Sequence, residues 1–407
     1  MNISRYMLPE LAIIGITAIA AGCQSDAPAD VNDPAEYISF GAPVLSVSDS
    51  RATLVDEFGQ STGKVGGFKV WGYCVPTQVG GSSLDYGGAS SPWSTKVSHV
   101  ESADVMNGAD VTVSDDGSTS YSDPKAWISL DSDPQASYDY TYSFVAMANT
   151  GSATVSHSIA GGANQRRPHI QFEMPFGNTG NSTSTAASLD RTVVPDALMA
   201  SMFDRTRRMG KVPLTFHHIL TGVRFRAINR SGQTLRVKRV TLSGRFYRTA
   251  YYEFTSSTKR DMWVDELNTS SYAGTFTAFE GDQTVADETS AILGVDPSDP
   301  TGSLGNVLLL LPNPNGKPPV GENDTEAVYS LGDYKAITIQ YTLTPKDGAE
   351  SAEKIGSTGE FSLHYVPAPN TLHTANLTFT GDRVIVLFQA DNDTNWEIGS
   401  NNNIDIN

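Results

Sequence analysis

Three things are scarce in this sequence: cysteine, positive charge and long apolar runs. The 407 residues include two cysteines, Cys23 and Cys74. That leaves no framework of disulfides and no cysteine-rich zinc pattern. Lys and Arg number 28 against 45 Asp and Glu, for a formal net charge of −17. Nucleic acid is therefore not an expected partner, because phosphate binding needs a basic stripe. The one sustained apolar run, Leu11 to Ala21, is too short to span a bilayer. No nucleophile elbow, zinc-protease helix or phosphate-binding loop occurs. No enzymatic activity, cofactor or metal site is expected.

What is abundant is turn chemistry. Glycine (36) and proline (21), with many Ser, Thr and Asn, separate short β-rich runs. That pattern implies an all-β sandwich architecture, and the length favours two domains. The densest patterned stretch is Lys211 to Ile228. Val212, Leu214, Phe216, His218 and Leu220 are even; after Gly222 the apolar set becomes odd, with Val223, Phe225 and Ala227. A period of two predicts a strand with one buried face. The phase change predicts a sharp joint around Ile219 to Gly222, since a slip of one residue would otherwise turn the buried face to water.

Residues 1–22 read as a secretory signal, with Arg5 ahead of the apolar run. The run ends in Ala20-Ala21-Gly22-Cys23, which resembles a lipobox. The resemblance implies that Cys23 is acylated, palmitate included, and becomes the new N-terminus. Acyl chains bury about 0.8 kcal/mol per CH₂, so several of them anchor stably. Residues 23–36 form an acidic tether without periodicity. With Cys23 acylated, Cys74 stands alone, and no intramolecular disulfide is expected. Cys74 reads as a small buried residue on a strand.

The first strand begins at Tyr37 to Phe40 and continues loosely through Val44 to Val47, before a polar break at Ser48 to Thr53. Phe68 to Val75 is apolar on both faces and predicts a central strand. Tyr138 to Ala148 and His169 to Met174 alternate and close a first domain over 37–175. Residues 176–193, rich in Gly, Asn, Ser and Thr, mark a linker. A second domain spans 194–390. It opens with a short helix candidate at Val194 to Met202, Asp196 near its start. Its strands include Leu235 to Leu242, Asn306 to Leu311, Ala336 to Leu343, Leu372 to Phe379 and Val384 to Phe388. In the tail, 391–407, Trp396, Ile398, Ile404 and Ile406 keep one phase and form a candidate donor strand, the form needed for β-strand addition.

The order of these segments carries a resemblance. Asp196-Ala197-Leu198-Met199-Ala200 stands upstream of Leu214, Phe216, His218 and Leu220, and Asn306 to Pro312 forms a buried Leu-rich strand. This arrangement resembles the fimbrillin family, the type V pilins and related surface lipoproteins of Gram-negative bacteria. The resemblance implies two tandem transthyretin-like β-sandwich domains behind the lipoprotein signal peptide. It implies a structural subunit or an accessory tip or anchor protein of fimbriae at the cell outer membrane, contributing to adhesion. The partners it implies are other fimbrial subunits, the outer membrane through the lipid anchor, and host or bacterial surface ligands. It further implies proteolysis after an Arg near the first strand, for which Arg51 is the candidate, and filling of the opened groove by a neighbour's strand. The alternative is a surface lipoprotein that binds glycans or host ligands and never polymerises.

Other residues carry groups capable of chemistry. His217 and His218 are adjacent on a strand and face opposite ways, so they cannot share a metal. His218 reads as a satisfied, semi-buried side chain. Asp391, Asp393 and Asn395 lack the Gly and Glu of a calcium loop, and read as a solvated turn. Trp71, Trp93, Trp127 and Trp263 could stack on sugars, but core or loop packing is their commoner role.

Overall fold

The computed structural model describes residues 37–45, 57–78, 97, 100, 102–127, 138–160, 167–175, 188–247, 249–254, 263–264, 271–295, 305–311, 336–349, 354–357, 371–381, 383–390 and 402–406. These residues are nearly all β. The strands begin with β1 (Val44–Leu45), β2 (Gly67–Gln78), β3 (Met106–Val113), β4 (Thr119–Tyr121), β5 (Tyr138–Ala148), β6 (Thr154–Ala160) and β7 (Arg167–Glu173). Next come β8 (Ser188–Leu189), β9 (Leu198–Arg205), β10 (Thr215–His218), β11 (Thr221–Asn229), β12 (Thr234–Tyr247), β13 (Thr249–Glu253) and β14 (Trp263–Val264). The last are β15 (Ser271–Val285), β16 (Ser290–Ile292), β17 (Leu308–Leu310), β18 (Ala336–Thr344), β19 (Lys354–Ser357), β20 (Thr371–Phe379), β21 (Val384–Ala390) and β22 (Asn402–Ile406).

Four sheets result. The largest runs β1-β10-β9-β5-β2-β3-β4. Its centre is the long β2–β5 ladder, from Phe68 opposite Ala148 to Gln78 opposite Tyr138. As the sequence predicts, β2 is central and buried on both faces. Phe68, Val70 and Cys74 enter one core with Tyr142, Phe144, Leu198, Val212, Leu214 and Phe216. Trp71, Tyr73 and Val75 face the other way, into a core shared with Ile170, Phe172 and Met174. Gly72 has a packing reason: a Cβ there would meet the Phe144 ring at 3.1 Å. The second layer is the four-stranded sheet β14-β13-β7-β6.

The remaining sheets are β16-β11-β20-β21-β22, with β17 also on β11, and β19-β18-β12-β15-β8. Strand β11 runs parallel to β20 from Thr221–Thr371 to Asn229–Phe379. Val223, Phe225, Ala227, Ala375, Leu377 and Phe379 share a core with Leu235, Val240, Leu242, Ile337, Ile339 and Tyr341 of the facing sheet. Period-two alternation places these residues on one face of each strand.

The predicted joint is present. Residues 212, 214, 216 and 218 are buried in alternation, β10 ends at His218, and β11 starts at Thr221. At this joint the chain leaves the seven-stranded sheet and enters the β11 sheet.

Three expectations are corrected. Residues 194–202 do not form a helix. Leu198–Arg205 is strand β9, between β5 and β10. Leu198 and Ala200 fill one core while Ala197 and Met199 fill the other, so both faces are apolar and the alternation that marks a strand is missing. The expected linker does not separate the strand sets. Strands β9 and β10 follow it yet pair within the first sheet, β13 pairs with β7, and β8 within it pairs with β15. Turn composition marks solvated coil; it does not mark which edge a later strand will reach. Finally, Cys74 is buried, at 6% exposure, but it is held in a disulfide and is not a lone thiol. The lone thiol was expected of an acylated chain, whose Cys23 sulfur is in a thioether and cannot enter a disulfide.

His373 lies in the β20 core at 0% exposure, and burial pushes its pKa down to about 3. The unfolded chain takes up that proton near the ordinary value of about 6.5. The contribution is therefore present above pH ~6.5 and lost as pH falls toward ~3, by up to ~1.4 kcal/mol per unit. Urea unfolding of the wild type and of His373→Gln at pH 7 and pH 4.5 should show a smaller acid loss in the variant.

Candidate functional site

Residues 37–45 occupy a groove in the seven-stranded sheet, touching both of its ends. On one side they run parallel to the β10 strand, with Phe40 opposite Val212, Val44 opposite Thr215 and Leu45 opposite Phe216. The Gly41 N–H donates to the Val212 carbonyl at 2.9 Å, and the Val212 N–H donates to Ser39 at 2.7 Å. The Val44 N–H donates to Leu214 at 3.1 Å. On the other side Tyr37 bridges to Ala126, and the Ile38 N–H donates to Lys125 at 2.7 Å. The Tyr121 hydroxyl donates to the Ile38 carbonyl at 2.6 Å, and Thr119 Oγ1 to the Phe40 carbonyl at 2.8 Å. The segment thus closes a curled sheet whose two edges would otherwise stand open.

Its side chains plug the core. Ile38 and Phe40 are 1% and 2% exposed, whereas Val44 is 53% exposed. Phe40 sits in an aromatic socket, edge-on to Phe68 at 5.5 Å, Phe144 at 5.7 Å and Tyr121 at 6.1 Å. Burying two such side chains is worth roughly 1.5–3 kcal/mol each, and each backbone bond adds about 1 kcal/mol.

A second contact lies behind this groove, at the joint. His218 Nδ1 and Asp196 Oδ1 are 2.7 Å apart, with His218 at 1% and Asp196 at 7% exposure. The Ile219 N–H donates to the Ala197 carbonyl, and the Asn149 side chain donates to the Asp196 carbonyl. This bond ties together the two segments, 196–200 and 214–220, on which the family resemblance rests. Asp196 serves here as the partner of His218, not as a helix cap. His217 turns the other way and lines a small cavity of about 90 Å³.

Other polar groups are held as structural pairs. Burial keeps the Tyr73 phenol protonated, and its oxygen lies 2.7 Å from His157 Nε2. His157 is pushed down to about 4 by burial and then by His169. Ser158 Oγ lies 2.9 Å from His169 Nε2. Among the described residues no cluster of three metal-ligating side chains occurs. Trp71 and Trp127 are core residues, and Trp127 packs edge-on to Tyr142 and Phe144.

Of the residues singled out from the sequence, Cys23, Arg51, Trp396, Ile398, Trp93 and the 391–395 turn lie outside the described residues. Ile404 and Ile406 belong to β22, which pairs with β21 of the same chain, Ile404 opposite Val386 and Ile406 opposite Val384. The groove's lining was missed: nothing local in 119–126 or 212–216 announces that both flank residues 37–45.

A scan of family models finds no match, and neither does a search of curated proteins. Solved structures do match. A fimbrial protein from Bacteroides vulgatus aligns over 88% of this chain and 98% of its own, with a TM-score of 0.53 at 17% identity. The chain has a fimbrial-protein fold. The sequence's fimbrillin-like resemblance therefore holds at the level of fold. Two further structures align at lower scores. A fimbrial assembly protein from Parabacteroides distasonis is 8% identical, covering 90% of this chain and 100% of its own, with a TM-score of 0.31. A candidate cell adhesion protein from Bacteroides ovatus is 12% identical, covering 89% and 98%, with a TM-score of 0.36.

Phe40→Ala should destabilise the full chain by ~3–5 kcal/mol through the emptied socket. Val44→Ala, on the exposed side of the same strand, should stay within ~0.5 kcal/mol. Denaturant midpoints for the two variants measure the difference.

Proposed function

We propose that this chain is a structural subunit, or an accessory tip or anchor protein, of cell-surface fimbriae, assembled by β-strand addition and contributing to adhesion. The observation that carries the reading is the seating of residues 37–45: a discrete segment that fills an apolar groove and pairs its backbone on both sides. A segment of this kind can be exchanged. Removing it would leave unpaired backbone groups and an open aromatic socket, and a strand supplied by a neighbour would satisfy both. Arg51 is the proposed cleavage point, and Trp396, Ile398, Ile404 and Ile406 are the proposed donor residues. Other fimbrial subunits are the partners. The fold it shares with a fimbrial protein supports a structural rather than an enzymatic role. Cys23 is the proposed acylation site, anchoring the chain in the outer membrane. The glycan-binding alternative draws no support from Trp71 and Trp127, whose rings are buried.

Two experiments test this. Digestion of lipid-free full chain with an Arg-specific protease should give one new N-terminus after Arg51 and a detergent-resistant ladder. A clean cut with a monomeric product would sink the strand-addition reading. For the anchor, palmitate should label the wild type but not Cys23→Ser. A thioether has no thiol to oxidise, so the denatured mature protein should titrate one thiol, from Cys74, before any reductant is added. No thiol until reduction would mean that Cys23 is not acylated.

A further inference from the structure

The β3–β4 hairpin does not stay zipped along its length. Val111, Thr112 and Val113 pair with Tyr121, Ser120 and Thr119, and there the ladder stops. Pro124 has no N–H to offer it, and the chain after Tyr121 turns away from β3. Residues 106–110 keep β2 as their partner on one side; among the described residues no strand pairs with them on the other. Between the two arms opens a cleft of about 410 Å³, within the ~300–1,000 Å³ range of small-molecule sites. One wall carries a bulge. Val70 pairs with Ala109 and Trp71 with Asn107, so Gly108 is the extra residue. Its φ of +72° is one that glycine adopts without strain. Lys69 clasps the bulge, its Nζ donating to the Gly108 carbonyl at 3.2 Å and to Asp110 Oδ1 at 2.7 Å.

The cleft is polar but electrically balanced. Asp110 is paired with Lys69, and Asp123 with Lys125 at 2.6 Å. An anion entering it would meet two carboxylates, and a cation would meet the two ammonium groups that hold them. Each carboxylate has a second acceptor oxygen, and Lys125 has three donors, one of which is on Asp123. Asn107 and Ser122 add a side-chain amide and a hydroxyl to the lining. A mixed set of donors and acceptors with no net charge matches neighbouring hydroxyl groups, each of which both donates and accepts. We propose that the β3–β4 cleft binds a neutral glycan through a mono- or disaccharide unit. Recognition is by hydrogen bonding rather than ring stacking, since Trp71 and Trp127 are buried. As a ligand class for adhesion the inference rests on the proposed function; as a site it stands on the cleft alone. Its far wall is held by the seated N-terminal segment: the Tyr121 hydroxyl and the Lys125 carbonyl both bond to Ile38.

Calorimetry and saturation-transfer NMR on the uncut, lipid-free full chain test this with lactose, mannobiose and chitobiose, set against sialic acid and inorganic phosphate. At least one neutral sugar should bind, and the two anions should not. Asn107→Ala and Ser122→Trp change exposed positions and should keep the wild-type denaturation midpoint. Each should weaken sugar binding about tenfold or more, the first by removing hydrogen bonds and the second by filling the cleft. No binding of any of the three sugars, binding unchanged in either variant, or a preference for the anions would each overturn the site. Strand addition is read separately, from the ladder that the same preparation gives after protease. A ladder with no sugar bound would overturn the cleft and leave the subunit reading standing; sugar bound by a chain that gives no ladder would do the reverse.

Discussion

A sheet with an open edge has to be covered, and in this protein the cover is nine residues near the N-terminus. The segment 37–45 pairs with the 212–216 strand on one side and with residues 119–126 on the other. Its two buried side chains complete the core between them. Backbone groups taken from water must find partners, so neither flank is stable alone in this form. The curl of the seven-stranded sheet, the burial of Phe68 and Phe144, and the order of β3 and β4 all presuppose that something lies in that groove. What the groove specifies is backbone pairing on both sides and two apolar plugs.

The rest of the molecule is arranged to hold that groove against a second body of sheets. The crossing between them is short: β10 ends at His218 and β11 begins at Thr221. The buried Asp196–His218 bond and the backbone bond from Ile219 to Ala197 fix it in place. Strands β9 and β10 are thus tied to one another at the point where the chain changes sheets. This locates the physical content of the family resemblance. Its two segments, whose contacting residues are 22 apart in sequence, meet in one buried polar contact. A buried charged or polar group is tolerated only when it is partnered, so the two residues would be kept or lost together.

Much of the fold was legible because period-two patterning is local. The β2, β5, β10, β18 and β20 strands announced themselves by alternation or by apolar runs, and the joint at 219–222 by a change of phase. Strand β9 did not, because both of its faces are buried and alternation vanishes. The domain boundary did not either, because Gly, Asn and Ser report solvated coil and say nothing about where β9, β10 and β13 will pair. Cys74 was correctly read as buried, but its bonding depended on whether Cys23 keeps its sulfur free. The plugs of the groove lay in plain sight as Ile38 and Phe40, yet their sockets could not be read, since Phe68, Tyr121 and Phe144 converge only after the sheet curls.

By itself, then, the sequence determined the class of structure, the faces of its strands and the sharp joint. These are properties of residues within a few positions of one another, set by side-chain alternation and turn chemistry. The tertiary structure decided which strands share a sheet, where the chain crosses between sheets, and that the first strand is an insert rather than an ordinary edge. Those outcomes depend on hydrogen-bond partners from about twenty to more than a hundred residues away, and pairing of backbone with backbone leaves almost no signature in the side chains that carry the sequence.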